Sequence, residues 1–270
     1  MPVLGTVRNP LIDLGRARRQ NDTAEVGYYR SFLDGGIDVE LAGSPHAGMY
    51  QYSFPDGENS VVVDVSHVLP SFRGLGWGQG YAGGSFELTK SGYTGHGIYN
   101  NGWNLAPNWS IYFCGHFDQS PTGQQIFTSV DAGGSNTSLY TYGTLSSTNG
   151  THRQGGVFTF DDNKVISRVG ISFISTEKAC YNVQSEIPKD TTLQSLVEKA
   201  QAKWNGDIFS KVTTTEKDET VLRQLYSYLY GMSEFMTSIL NLQANANVDR
   251  SYTLKPHRRE STVGVRRALL

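Results

Sequence analysis

Only two cysteines occur in the 270 residues, too few for a disulfide scaffold. Cys114 and Cys180 allow at most one internal bridge, and Cys114, following Ile111-Tyr112-Phe113, reads as a buried strand thiol. No CxxC pair, HExxH motif or two-histidine helix pattern is present, so no metal site is assigned. His46, His67, His96, His116 and His152 are scattered singles that read as structural or surface residues. Long apolar runs are also lacking. The stretch Ser60–Val65 stops far short of the roughly 20 residues needed to cross a bilayer, which argues against a membrane protein. The first thirty residues hold Arg8, Arg16, Arg18 and Arg19 but no apolar block of the secretory type, so a cytosolic location is expected for the chain as written.

Charge of one sign is scarce as well, with 23 basic against 25 acidic residues. The distribution is uneven. Arg250, Lys255, Arg258, Arg259, Arg266 and Arg267 face only Glu260 in the last stretch, leaving 17 basic and 24 acidic residues over 1–249. A body with that balance repels a phosphate backbone, so the main domain is not expected to bind nucleic acid. The basic end alone suits polyanions.

Prolines are few, at nine, whereas thirty glycines exceed the usual share and point to many turns between short strands. From about residue 28 to 175 the pattern has period two. Runs at Tyr28–Leu33, Ile37–Leu41, Met49–Phe54, Ser60–Val65, Ser85–Thr89, Trp109–Phe117, Gln125–Val130, Gly156–Phe160 and Val165–Ser175 are separated by Gly, Asn, Asp and Ser. Pro55-Asp56-Gly57-Glu58-Asn59 between two of them predicts a hairpin, and the spacing suits a large antiparallel sandwich.

After Pro188 the period changes. Leu193, Val197, Ala200 and Trp204 form one helical stripe, with Asp190 or Thr191 available as N-cap and Gly206 ending it. A second helix is expected from about Asp218. Its apolar face of Val221, Leu222, Leu225, Tyr228, Leu229 and Met232 is too broad for solvent and predicts self-association. From Ser233 the periodicity fades, and 233–270 reads as a poorly ordered tail. The expected architecture is therefore mainly β: a sandwich over 1–188, helices over 189–232 and then the tail.

Gly74-Leu75-Gly76-Trp77-Gly78-Gln79-Gly80 is glycine-dense, yet no Gly-Lys-Ser/Thr follows and the next segment predicts a strand, so it is no phosphate loop. A loop presenting Trp77 to a sugar fits better, because indole faces pack on the C–H faces of pyranose rings while amides bond the hydroxyls. Trp77, Gln79, Trp103, Asn104 and Trp109 are the carbohydrate-binding candidates, with Arg73, Asn101 and Asn108 nearby. The alternative is that the tryptophans are packing residues. Glycosidases need two opposed carboxyl groups. Asp34, Asp38, Asp56, Asp64, Asp118, Asp161 and Glu177 are available, but none is assigned as catalytic. Sequons start at Asn21, Asn108, Asn136 and Asn149, the glycosylation candidates, and four of them suggest a secretory history.

Six ordered blocks carry a family resemblance. They are Gly27-Tyr28-Tyr29-Arg30, Gly36–Leu41, Gly48–Pro55, Asp64–Pro70, Asn100–Trp109 and Val169–Cys180. Together they resemble glycoside hydrolase family 92, in its fungal branch of exo-acting α-mannosidases, over roughly residues 1–232. The resemblance implies an N-terminal β-supersandwich, linked by helices to a C-terminal (α/α)6 barrel. It further implies calcium-dependent, inverting hydrolysis of terminal α-mannosyl residues, often α-1,2-linked, from N-glycans, and so mannose-containing glycans as partners and a secretory or extracellular location. Leu193–Trp204 would be the linker helix and Val221–Met232 the start of the barrel. No counterpart of the family's Gly-Phe-Ser…Ser-Gly-Thr-Gly loop is found, and the match fades after Tyr230-Gly231-Met232. The expectation is an N-terminal domain truncated at both ends, without the barrel's acid, base and calcium ligands and inactive alone, the alternatives being a stand-alone mannoside-binding module or a fragment of the full enzyme.

Overall fold

The computed structural model describes residues 1–68, 78–102, 105–132 and 137–246, with side chains described except at 131–132 and 234–246. Fourteen strands and three helices follow one another along these residues. The strands are β1 (Pro2–Leu4), β2 (Thr23–Glu25), β3 (Tyr28–Leu33), β4 (Ile37–Gly43), β5 (Ala47–Ser53), β6 (Asn59–Asp64), β7 (Gln79–Thr89), β8 (Gly92–Asn101), β9 (Ala106–Phe117), β10 (Gly123–Ala132), β11 (Leu139–Gly143), β12 (Ser147–Gly150), β13 (His152–Phe160) and β14 (Lys164–Ser172). The helices are α1 (Thr176–Glu186), α2 (Leu193–Asp207) and α3 (Glu219–Ala246). The chain divides into two compact units, Met1–Lys203 and Trp204–Leu270.

The first unit is a sandwich of two antiparallel sheets, one of five strands in the order β1-β6-β13-β10-β11 and one of nine in the order β12-β7-β8-β9-β14-β5-β4-β3-β2. Period-two patterning explains how the core divides. On β6, Val61 points into the central core and Val62 to the outer face; on β10, Ile126 and Phe127 separate the same way, as do Phe158 and Val157 on β13. Ile37, Val39, Tyr52, Phe86, Tyr93, Phe117 and Val165 of the nine-stranded sheet, with Phe54 just after β5, meet Val61, Ile126, Phe158 and Phe160 between the sheets. Fully burying each such side chain stabilises the fold by about 1.5–3 kcal/mol. The outer face of the five-stranded sheet is covered by Val3, Val7 and Leu11 of the N-terminal segment, which is why β6 reads as apolar on both sides. On the far side of the nine-stranded sheet, Met49, Ala42 and Ala47 pack with Val183, Ile187, Leu196 and Val197 of the helical region.

Several sequence expectations change here. Pro55–Asn59 does not close a hairpin: β5 pairs with β4 and β14, while β6 pairs with β1 and β13, so this turn carries the chain from one sheet to the other. Two-sided burial of β6 drives the crossing, since a strand apolar on both faces needs a cover on each. The run expected to stay extended through Ser175 breaks at Ser172, and α1 begins at Thr176. Ser175 caps it, its hydroxyl accepting the Lys178 amide at 3.2 Å. Periodicity hid this helix because its buried positions are only Ala179, Asn182 and Val183, one of them polar. At α2 the cap is Thr192, one residue beyond the candidates. Thr192 and Ser195 exchange side-chain-to-amide hydrogen bonds, each 3.1 Å, in a reciprocal box.

In the second unit, Trp204 packs on Phe209 (5.9 Å) and Tyr230 (4.5 Å), and Phe209 meets Tyr226 edge-on. Among the broad apolar face expected on α3, Tyr228 and Met232 are 64% and 62% exposed and Leu222, Leu225 and Leu229 half-buried. The helix runs on past Ser233 to Ala246, through a stretch without glycine or proline. Residues 247–270, the rest of the expected tail, lie outside the described residues.

Candidate carbohydrate-binding rim

Strands β7, β8 and β9 run side by side and bring their ends together in one corner of the nine-stranded sheet. Gln79 of β7 stands opposite Asn101 of β8, Asn101 opposite Ala106 of β9, and Tyr99 opposite Trp109. The β8–β9 connection holds Asn101 and Leu105 at φ 56° and 52°, with Gly102 at 85°. Two non-glycine residues in the left-handed region within one turn mark a conformation held by its surroundings. The Gly102 amide reaches the Gly78 carbonyl at 3.3 Å, so the residue after Trp77 is bonded to the residue before Trp103.

Trp109 is half-buried. Its indole packs on the Tyr99 ring at 5.2 Å and on Phe173 at 6.2 Å, and Phe173 is 51% exposed. Tyr99 is itself fixed from behind, its hydroxyl donating to the Val65 carbonyl at 2.5 Å and its ring lying 5.8 Å from Tyr81. Burial foremost pushes both phenols up to about 12, so each stays a neutral hydrogen-bonding group near neutrality. The Tyr81 hydroxyl accepts from the buried Gln154 amide at 2.8 Å. Beside the aromatics, the Asn100 amide donates to Asn108 Oδ1 at 2.9 Å. The corner therefore combines an apolar step with several amides, the chemistry that suits a pyranose ring and its hydroxyls.

Of the five carbohydrate candidates, Gln79 and Trp109 lie in this corner, whereas Trp77, Trp103 and Asn104 lie outside the described residues. Tyr81, Tyr99 and Phe173 were not read from the sequence. Tyr99 and Tyr81 look like any strand aromatics there, and only the pairing of β8 with β9 and of β7 with β8 brings them under Trp109. Among the sequons, Asn21, Asn108 and Asn149 are exposed, and Asn136 lies outside the described residues.

Three of the candidate carboxylates are taken up by arginines. Asp38 pairs with Arg19 and Arg30, Asp64 with Arg153 at 3.0 Å, and Asp118 with Arg168 at 2.7 Å. Asp56 accepts from Asn163, and Glu177 lies in the first turn of α1. Among the described residues no three His, Cys, Asp or Glu side chains converge as a metal site, so the calcium implied by the resemblance is assigned to none of them and enters no step.

Cys114 is not a free strand thiol. It is bonded to Cys180, joining β9 to α1 across a Cα separation of 5.0 Å. The unrecognised helix is the reason for the misreading, because with Val169–Cys180 read as strand and loop nothing placed Cys180 over β9.

The glycosyl hydrolase family 92 N-terminal domain model matches residues 1–172, and the family's catalytic domain model matches residues 178–261. The chain belongs to glycosyl hydrolase family 92. The catalytic-domain match extends past Met232, where the recognisable blocks end. Solved structures similar to this member include a family GH92 inverting mannosidase from Bacteroides thetaiotaomicron, at 20% identity, TM-score 0.58, covering 76% of this chain and 25% of that one. A GH92 family α-mannosidase of the same organism, solved with mannoimidazole, matches at 21% identity and TM-score 0.64, covering 80% of this chain and 28% of that one. The family 92 chain thus spans about a quarter of the length of these relatives, and at such identities the likeness is one of fold. Among curated proteins none matches.

Proposed function

We propose that this chain forms the N-terminal sandwich of a GH92 exo-α-mannosidase that trims terminal mannose from N-glycans, and that its β7–β8–β9 corner contacts the sugar. The observation that carries the reading is the ordered match of both family 92 domains to one chain. The corner supports the sugar-contacting part, since Trp109 sits on a supported aromatic step with Gln79, Asn100 and Asn108 at hand. By itself the chain binds rather than cleaves. Inverting hydrolysis needs one carboxyl group as acid and a second as base, with room for water between them. Asp38, Asp64 and Asp118 are instead each held by an arginine.

The test combines two measurements on the purified chain. Titration with α-1,2-mannobiose followed by calorimetry is expected to give saturable binding, and incubation with the same disaccharide is expected to release no mannose. Absence of binding at millimolar ligand overturns the sugar-contacting role. Release of mannose that a calcium chelator abolishes overturns the binding-only reading.

A further inference from the structure

The nine-stranded sheet ends at β12 on one side and at β2 on the other, and a sequon lies at each end. Asn149-Gly150-Thr151 starts in β12, and Asn21-Asp22-Thr23 runs into β2. Edge strands present unpaired amides and carbonyls that template association with another chain, so proteins shield them. The two sequons share a geometry. Asn21 and Thr23 are both exposed, while Asp22 between them turns inward, accepting from the Arg18 guanidinium (2.5 Å), the Tyr29 hydroxyl (2.5 Å) and the Ser31 hydroxyl (2.8 Å). Asn149 and Thr151 are likewise exposed, with Gly150 half-buried between them and its carbonyl accepting from Gln154 at 3.1 Å. In both motifs the acceptor asparagine and its hydroxyl residue are thus exposed on either side of a half-buried residue. Neither carboxamide has a hydrogen-bond partner among the described residues.

The third described sequon shares the exposed asparagine but differs otherwise. Asn108 lies on β9, an interior strand, its carboxamide is bonded to Asn100, and its Ser110 is half-buried. A separate observation bears on the compartment. The Cys114–Cys180 bridge is a structural disulfide, and such bridges persist where the environment is oxidising, as in the secretory lumen where asparagine glycosylation takes place.

We propose that Asn21 and Asn149 carry N-linked glycans, which stand at the two edges of the nine-stranded sheet and shield them. The donor is an oligosaccharide on a lipid pyrophosphate. The asparagine Nδ2 forms a bond to the sugar C1, the C1–oxygen bond to pyrophosphate breaks, the lipid pyrophosphate leaves with its electron pair, and the amide proton passes to a carboxylate of the transferase. No electron is gained or lost overall. Glycans at these two positions are independent of any mannosidase activity.

Protein isolated from its native source is digested with peptide N-glycanase in heavy-oxygen water, which converts each glycan-bearing asparagine to labelled aspartate, and its peptides are sequenced by mass spectrometry. Label at both Asn21 and Asn149 is the expected result. Unlabelled asparagine at either position, with or without label at Asn108, overturns the proposal. Thr23→Ala and Thr151→Ala, expressed through a eukaryotic secretory pathway, each remove one glycan from the intact mass if it holds, and an unchanged mass in either variant overturns it. Light scattering on the double variant reads the shielding. More oligomer than in the parent is expected, and an unchanged distribution overturns the shielding role.

Discussion

Arg168 and Asp118 form a two-pronged ion pair in the interior of the first unit, Nε to Oδ1 at 2.7 Å and a terminal nitrogen to Oδ2 at 2.8 Å. The arginine side chain is 2% exposed, and its remaining protons go to the carbonyls of Pro188 (2.9 Å), Lys189 (3.0 Å) and Thr191 (3.0 Å). One guanidinium on β14 thus fixes both the start of the β9–β10 connection and the α1–α2 connection. These bonds satisfy the polar joint between helices and sheet from within the protein.

Arg168→Ala leaves Asp118 without its partner and takes a donor from three carbonyls, of which, among the described residues, only that of Pro188 keeps another, the Thr191 amide at 2.9 Å. Loss of one member of a buried pair costs about 3–5 kcal/mol, so a fall of that size in urea-unfolding free energy is expected. Arg168→Lys is expected to recover only part of it, because an ammonium cannot reproduce the planar fork.

The Cys114–Cys180 bridge ties α1 to β9. Closing a long loop restricts the unfolded chain, and removal of such a bridge is expected to cost about 2–4 kcal/mol. Thermal unfolding of Cys180→Ser, or of the parent with and without reductant, measures it.

The legible and the hidden parts of this fold divide by how the signal is carried. Tyr28–Leu33 is legible to the residue because its alternation and flanking glycines lie within one short window. Strands β8 and β11 escaped, since Gly92–Asn101 holds three glycines and its stability comes from pairing on both sides, which no window of sequence contains. The rim was half legible for the same reason. Trp109 and Gln79 stand out by residue type, whereas Tyr99 and Phe173 acquire their role only from the register that places them against Trp109. Arg168 was invisible, since a lone arginine in an apolar run gives no hint of Asp118, which lies fifty residues earlier in the chain.

Acid should loosen the seam between α1 and the β4–β5 turn. Burial pulls the Glu186 carboxyl upward, but hydrogen bonds from the Ser44 hydroxyl (2.6 Å), the His46 amide (2.9 Å) and the His46 ring outweigh it and hold the group below its usual value. A carboxyl depressed in the folded state contributes stability above the unfolded value of about 4.3, and that contribution is lost as pH falls through the lower folded value. Unfolding midpoints are therefore expected to drop below about pH 4.3, and to drop less in Glu186→Gln.

Trp109→Ala removes the upper layer of the aromatic step while leaving Tyr99 anchored to Val65. Mannobiose affinity is expected to fall on the order of tenfold, ~1.4 kcal/mol. Unchanged affinity by calorimetry would move the sugar contact away from this corner, and an intact circular-dichroism spectrum would separate that result from unfolding.

Gly170 shows how closely α1 lies on the sheet. A Cβ built there would fall inside the Ala179 carbonyl and within 2.8 Å of the Val183 amide nitrogen and 2.9 Å of its Cβ. These are backbone atoms and a β-branched side chain at 0% exposure, none of which can swing aside. Gly170→Ala must therefore push α1 outward, straining Cys180 against Cys114 and opening the layer of Met49, Val183 and Ile187. Overpacking of this kind costs about 1–3 kcal/mol. The same substitution at Gly57, where a Cβ meets nothing within 4 Å but φ is 127°, probes backbone strain instead of space. If both variants lose the same stability, yet only Gly170→Ala raises hydrogen exchange along α1, the close approach of helix to strand is what glycine preserves at 170.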